Sequence, residues 1–540
     1  MKLTKTVFVW AAMLAASAAW GAEQPLVRLS VRSFTDFTNA LERVASSLAP
    51  KDGVDHAQQF CKGLGLTNLT GLDTKGTWEI AAWHGLGSET PLVAVKAPVK
   101  EAAKFQENVS PAGALRAKGA EWSQLGEGVA LILFREASSL SEAEKSALDA
   151  WKAEPVARPA RLIELKLSMS EAIRDQATTA FAFGKEAIKA ALTAQSSGTQ
   201  GGPNAAAIRG ALTVYLDAID TLIKGLQGLE LRLDLPSDVL LLENVVTAKP
   251  GTELATWLRA PSGELSAEDL AWLEPDHLSS MAAYISKEPW VLQLAQKLTR
   301  LGLEVQNVDT NSPAVTELEA LLPKFLPVAG AGWVDLKPQF NFAFSYRFPG
   351  GKVADTYALM KQFVTNGFQG FVGKDKMYSA ATLAEKHETI EGIAVDRLSM
   401  TINLDSPLLK APGQKEQLEA IWPNGKVEAD YAIKGDRLLV ASAGGMKDLL
   451  ARGEGTSGRK AAWTLEKGTC LAGYLDLLGF IAQATAANPA IPEAVKDKLA
   501  KLEGRGAAIQ FQLSMDNQMR QVVRVPLLKL LGELGKLKGD

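Results

Sequence analysis

Short alternating runs and longer helical runs take turns along this chain. Leu26 to Val31 alternates like a strand, and a helical stripe follows from Ser33 with Phe34, Phe37, Leu41, Val44 and Leu48 on one face. Met281 to Ile285 is a second such strand, followed by Trp290, Leu294, Leu298 and Leu301 at helical spacing. Glu121 to Phe134 reads as two strands around Leu-Gly-Glu-Gly, and Asp430 to Ser442 as two strands around Lys-Gly-Asp. Each hairpin leads into a helix. Ser141 to Glu144 is a capping box for the first, and Met446 to Leu450 forms the second. Leu229, Leu231, Leu233 and Leu235 alternate, turn at Pro236-Ser237-Asp238 and return through Val239 to Ala248. Ile509, Phe511, Leu513 and Met515 do the same, turning at Asp516-Asn517 into Met519 to Val525. Helices follow both, at Thr252 to Leu258 and Leu527 to Leu537.

These correspondences predict an α+β fold by duplication: two related halves, 22–265 and 275–540, meeting near Pro275. Each half is expected to be an antiparallel, hairpin-built sheet with helices packed against it, because hairpins replace regular βαβ crossovers. Ile163 to Leu167 opens a second module of the first half. Ser170 to Gly225 is helical, broken by the loop Ser196 to Pro203, and carries the stripe Ile208, Leu212, Leu216, Ile219 and Leu222.

The chain's start adds a compartment. Lys2 and Lys5 precede an apolar run of about ten residues (Val7 to Ala16), and Ala19-Trp20-Gly21 offers small residues at −3 and −1. Residues 1–21 are read as a cleavable signal peptide, giving a periplasmic, secreted or surface-associated protein beginning at Ala22, with cleavage after Ala18 or Ala19 as alternatives. The run is too short to span a bilayer core of about 30 Å, and no later stretch reads as a transmembrane helix. The 540 residues are 47% hydrophobic with a net charge of −3, ample for a large core and without the basic excess that nucleic acid demands. Two cysteines, Cys61 and Cys470, permit one long-range disulfide or two buried thiols.

Chemistry is sparse. The four histidines, His56, His84, His277 and His387, are scattered. Neither Asp52, Asp55 and His56 nor Glu385, His387 and Glu388 has the spacing of a metal site. No serine-nucleophile elbow, phosphate loop or complete dinucleotide fingerprint occurs; Gly63-Leu64-Gly65 and Gly85-Leu86-Gly87 are fragments, and no cofactor is expected. Asn68 and Asn108 head sequons.

The most distinctive feature is Phe340, Phe342, Phe344, Tyr346 and Phe348, alternating on one strand face. They read as a core-facing strand or as an aromatic wall for an apolar or sugar ligand. Trp78 and Trp83 invite the same two readings. Pro526 to Leu537 reads as an amphipathic helix that caps a sheet or meets a partner.

The hairpin–helix unit Tyr431 to Leu450 resembles an element of uncharacterised bacterial envelope proteins. That resemblance implies compartment and architecture, and no residue role. Three functions remain: a non-enzymatic binding or scaffolding protein, an exported hydrolase with carboxylate or serine chemistry, and a carrier of an apolar or lipid ligand. The partner is an envelope protein or an apolar small molecule in these readings. The first leads because catalytic signatures are missing.

Overall fold

A computed structural model of the chain describes residues 24–48, 70–83, 91–108, 121–126, 128–133, 137–196, 203–259, 263–273, 277–285, 288–305, 309–335, 340–348, 350, 352–373, 376–406, 409, 414–452, 466–486, 491–500 and 507–536. Residues 1–21, Asp52, Asp55, His56, Cys61, Gly63, Gly65, Asn68, His84, Gly85, Gly87 and Pro275 lie outside this set.

The strands are β1 (Val27–Val31), β2 (Trp78–Trp83), β3 (Leu92–Pro98), β4 (Glu121–Gly126), β5 (Val129–Leu133), β6 (Ile163–Ser168), β7 (Leu226–Asp234), β8 (Leu240–Ala248), β9 (Ser279–Tyr284), β10 (Ala329–Asp335), β11 (Asn341–Arg347), β12 (Tyr378–Ile390), β13 (Ile393–Ile402), β14 (Lys426–Lys434), β15 (Arg437–Ser442), β16 (Thr469–Leu475), β17 (Ile509–Met515) and β18 (Gln518–Val525). The ladders that join them are antiparallel, and helices pack on them, so the class is α+β.

The chain packs as two compact units. The first takes its described residues from 24–186, 219–258 and 517–536. Its strands pair in the order β4-β5-β3-β2-β1-β6-β7-β8-β18. Both faces of the central strands are covered, so β2 and β3 are apolar almost throughout rather than alternating. On one face Trp78, Val95 and Ile132 pack with Phe34 and Phe105. On the other Trp83, Leu92 and Leu131 pack with Ala147, Leu148 and Trp151. Trp78 and Trp83, an odd number of residues apart, therefore enter opposite cores, and the core reading of this pair holds.

The helix Glu142–Ala153 begins at the expected capping box: the Ser141 hydroxyl accepts from the Glu144 amide, and Glu144 accepts from the Ser141 amide. Its far end is held by Lys96, buried at 1% exposure. The Lys96 ammonium donates to the carbonyls of Trp151 and Glu154 at 2.7 Å and lies 4.3 Å from the Trp151 ring centre. A cation there satisfies carbonyls that a helix C-terminus leaves open.

The boundaries of this unit differ from 22–265. Strand β18 and the helix Leu527–Lys536 belong to it, because β18 pairs with β8 over eight residues, Gln518↔Thr247 to Val525↔Leu240. Glu243, 2% exposed, is gripped there by Arg232 at 2.9 Å and Arg520 at 2.7 Å. The C-terminal helix packs on the helix Phe34–Leu48, and Leu527 joins Ala40, Leu162 and Leu235.

The second unit takes its described residues from 187–196, 203–218 and 259–516. Its strands pair in the order β12-β13-β14-β15-β11-β10-β9-β16-β17. The long edge hairpin β12–β13 closes through Glu391 (φ 49°) and Gly392 (φ 80°), the left-handed pair that a two-residue turn requires. One sheet face is paved with small residues, Ala282, Ala331, Ala343, Ala441 and Ala472. Elements carrying Leu265, Leu270 and Leu273, and then Met446, Leu449 and Leu450, pack on it. Burying each of the last three contributes about 1.5–3 kcal/mol. The opposite face carries Leu438, Val440 and Phe348 under Val353 and Tyr357.

A buried ion cluster closes this unit. Asp269, fully buried, accepts from Arg347 at 2.8 and 3.1 Å, from Arg437 at 3.0 Å, and from the Ser266 amide and hydroxyl. Burial alone would raise its carboxyl pKa; Arg347, Ser266 and Arg437 outweigh that and hold it below the ordinary range.

Candidate functional site

The second unit holds a cavity of about 320 Å³, bordered by His277, Trp333, Asn341, Phe342, Ala343, Ser442, Ala443, Gly445, Asp448 and Leu449. Register assembles it. Trp333 lies opposite Ala343, and Asp335 opposite Asn341, so these four share one sheet face. Val334 lies opposite Ser279, which brings the residues just before β9 beside Asp335. There Asp335 accepts from the Leu278 amide at 2.8 Å, and its other oxygen lies 2.6 Å from His277 Nδ1. The imidazole lies flat on Trp333, with ring centres 3.7 Å apart and planes 3° from parallel. A stacked, carboxylate-bonded imidazole has a fixed orientation.

The opposite wall is the turn Ala443 to Gly445 and the first turn of the helix Met446–Arg452. Gly444 is left-handed (φ 85°), and its amide donates to Asp430 at 2.9 Å. Asp430 is fully buried and doubly bonded by Arg397 at 2.6 and 3.0 Å. The wall therefore stands on a desolvated ion pair. Ser442 bridges the backbone of Phe342: it accepts from the amide at 2.8 Å and donates to the carbonyl at 3.1 Å. Its proton is thus committed. The Asn341 side chain and the Asp448 carboxylate line the cavity with no hydrogen bond or ion pair among the described residues.

Of the five alternating aromatics, Phe342 borders this cavity. Phe340, Phe342, Phe344 and Tyr346 form a ladder with successive ring centres 5.5–5.9 Å apart. Phe348 is buried with Val353 and Tyr357, and Phe342 and Tyr346 pack against that cluster. Phe344 has a different neighbourhood. Cross-strand partners form the row Phe344, Gly332, Met281, Gly473, Phe511. A Cβ on Gly332 would sit 2.4 Å from the Phe344 ring, and one on Gly473 would sit 2.7 Å from the Phe511 ring. The two rings thus lie over glycine from either side, the way aromatics rescue glycine in a sheet. Met281 stands between them, 47% exposed.

Elsewhere the candidates are ordinary. Glu385 pairs with Lys361 at 2.7 Å, and no three-ligand group of His, Cys, Asp or Glu occurs among the described residues. Cys470 rests its sulfur 3.5 Å from the Leu513 carbonyl, and burial pushes its thiol up to about 11. Among the described residues no helix is long and apolar enough to cross a membrane. His277, Trp333, Asp335, Asn341 and Asp448 were not recognisable as a group, since only pairing brings residues 277, 335 and 448 together. Comparison with known protein families, curated proteins and solved structures found no match.

Proposed function

We propose that this chain is an exported, non-enzymatic binding protein whose second unit receives a small molecule in the His277–Trp333 cavity. One observation carries the reading: the cavity is framed by fixed groups, yet two of its polar side chains, Asn341 and Asp448, have no partner among the described residues. A volume near 320 Å³ is in the range of small-molecule sites. Ser442 favours binding over serine hydrolysis, because both its hydrogen-bonding directions serve the Phe342 backbone.

The test is native mass spectrometry of protein purified gently from its own envelope, beside an Ala443→Trp variant that fills the cavity. A small-molecule adduct present on the parent chain and absent from the variant supports the reading. Equal adducts on both, or none on either, count against it. Intact mass of the same sample tests export: the mature chain should begin at Ala22.

Carriage of an apolar molecule is the second reading. It draws on the exposed Met281 between the Phe344 and Phe511 rings. Binding of a fluorescent fatty acid that is lost in Met281→Lys would favour it.

We also infer a duplication behind the fold. The order β4-β5-β3-β2-β1-β6-β7 of the first unit recurs as β14-β15-β11-β10-β9-β16-β17 in the second. Ser237 (φ 55°) and Asn517 (φ 59°) occupy the matching turns before β8 and β18.

A further inference from the structure

We propose that the cavity selects a small organic ammonium ion, held by Asp448 and Asn341. This rests on the binding reading and specifies its ligand. Among the described residues, the ionisable side chains that border the cavity are His277 and Asp448, and none is a lysine or arginine. The His277 Nδ1 faces Asp335, so the imidazole is already matched to a carboxylate of its own. Asp448 has no such match among the described residues. Among the described residues the lining thus offers one unpaired carboxylate, on the exposed Asp448, together with an amide whose oxygen also accepts.

An ammonium ion answers both groups. It donates to the Asp448 carboxylate and to the Asn341 side-chain oxygen, and charge-assisted bonds of this kind are about twice as strong as neutral ones. An anion meets the Asp448 carboxylate and finds no cationic side chain among the described lining residues. Placing Asp448 in the first turn of a helix is favourable on its own account, so charge at this position also serves the fold. The two roles separate by ligand charge: a purely structural aspartate would not discriminate among ligands of one shape.

Three probes of one shape make the test: phenethylamine, 2-phenylethanol and phenylacetate, titrated by calorimetry or ligand-observed NMR against the mature chain, Asp448→Asn and Ala443→Trp. Phenethylamine should bind at least about tenfold more tightly than the alcohol, and phenylacetate more weakly than both. Asp448→Asn should erase the amine's advantage, leave the alcohol within about twofold, and remove the salt dependence of amine binding. Ala443→Trp should abolish binding of all three. If the alcohol or the acid binds as tightly as the amine and Ala443→Trp blocks it, the ammonium inference fails while the binding reading stands. If Ala443→Trp leaves binding of the probes unchanged, or no probe binds, the ammonium inference fails with the cavity that was to hold it.

Discussion

Replacing Asp269 by asparagine keeps the side chain's shape and removes its charge. Five hydrogen bonds converge on this carboxylate, three of them from two guanidinium groups. The Arg347 and Arg437 side chains are themselves only 24% and 11% exposed. Water cannot replace the lost charge easily, and the new amide turns a donor toward an arginine. Breaking a buried pair by removing one partner costs about 3–5 kcal/mol. For a unit of this size that corresponds to a fall in Tm of roughly 10 °C. Trp272 lies 5.9 Å from the Arg437 guanidinium, so denaturant unfolding followed by tryptophan fluorescence reports on the site directly. The parent protein should also show an acid limb. The Asp269 carboxyl is held below its ordinary value of 3.8, so its contribution is complete above that pH and disappears as pH falls through the folded value. Asp269→Asn should flatten that limb. A loss below about 1 kcal/mol would refute the view that this cluster is desolvated and mutually dependent.

Lys96→Met should destabilise the first unit by about 2–4 kcal/mol, since two carbonyls at the end of the helix Glu142–Ala153 lose their donor; chemical denaturation measures it. Gly332→Ala should cost more than a helix-surface glycine change. Its Cβ would fall 2.2 Å from the Ala343 carbonyl oxygen, a backbone atom, and a thermal melt should show a clear fall in Tm. Cys470 should resist iodoacetamide at pH 8 in the folded protein and react promptly in denaturant, because burial pushes its thiol up to about 11; peptide mass mapping over time checks this.

The hydrophobic pattern alone determined most elements of this protein. Alternation at residues 229–235 and 509–515, the turns at 236–238 and 516–517, and the capping box at Ser141 are local signals, and each produced the strand, turn or helix start it predicts; the left-handed backbone of Ser237 and Asn517 is seen only in the structure. The choice of α+β followed, because hairpins leave their mark within ten or twenty residues. What pairing decides was not legible. Trp78 and Trp83 read as core residues or as an aromatic wall; the core reading holds, and it is the covering of both sheet faces that puts them in two separate cores. The strand at 518–525 continues the second half in sequence, yet its partner is β8, some 270 residues earlier, a choice made by edge complementarity and by Glu243 with Arg520. The cavity is the clearest case. His277, Asp335 and Asp448 carry no motif, because their meeting depends on the register of β9 against β10 and on a turn pinned by Asp430. Sequence fixes what each residue prefers locally; which of them share a site is decided by long-range ladders, where a shift of one residue would turn every side chain to the other face.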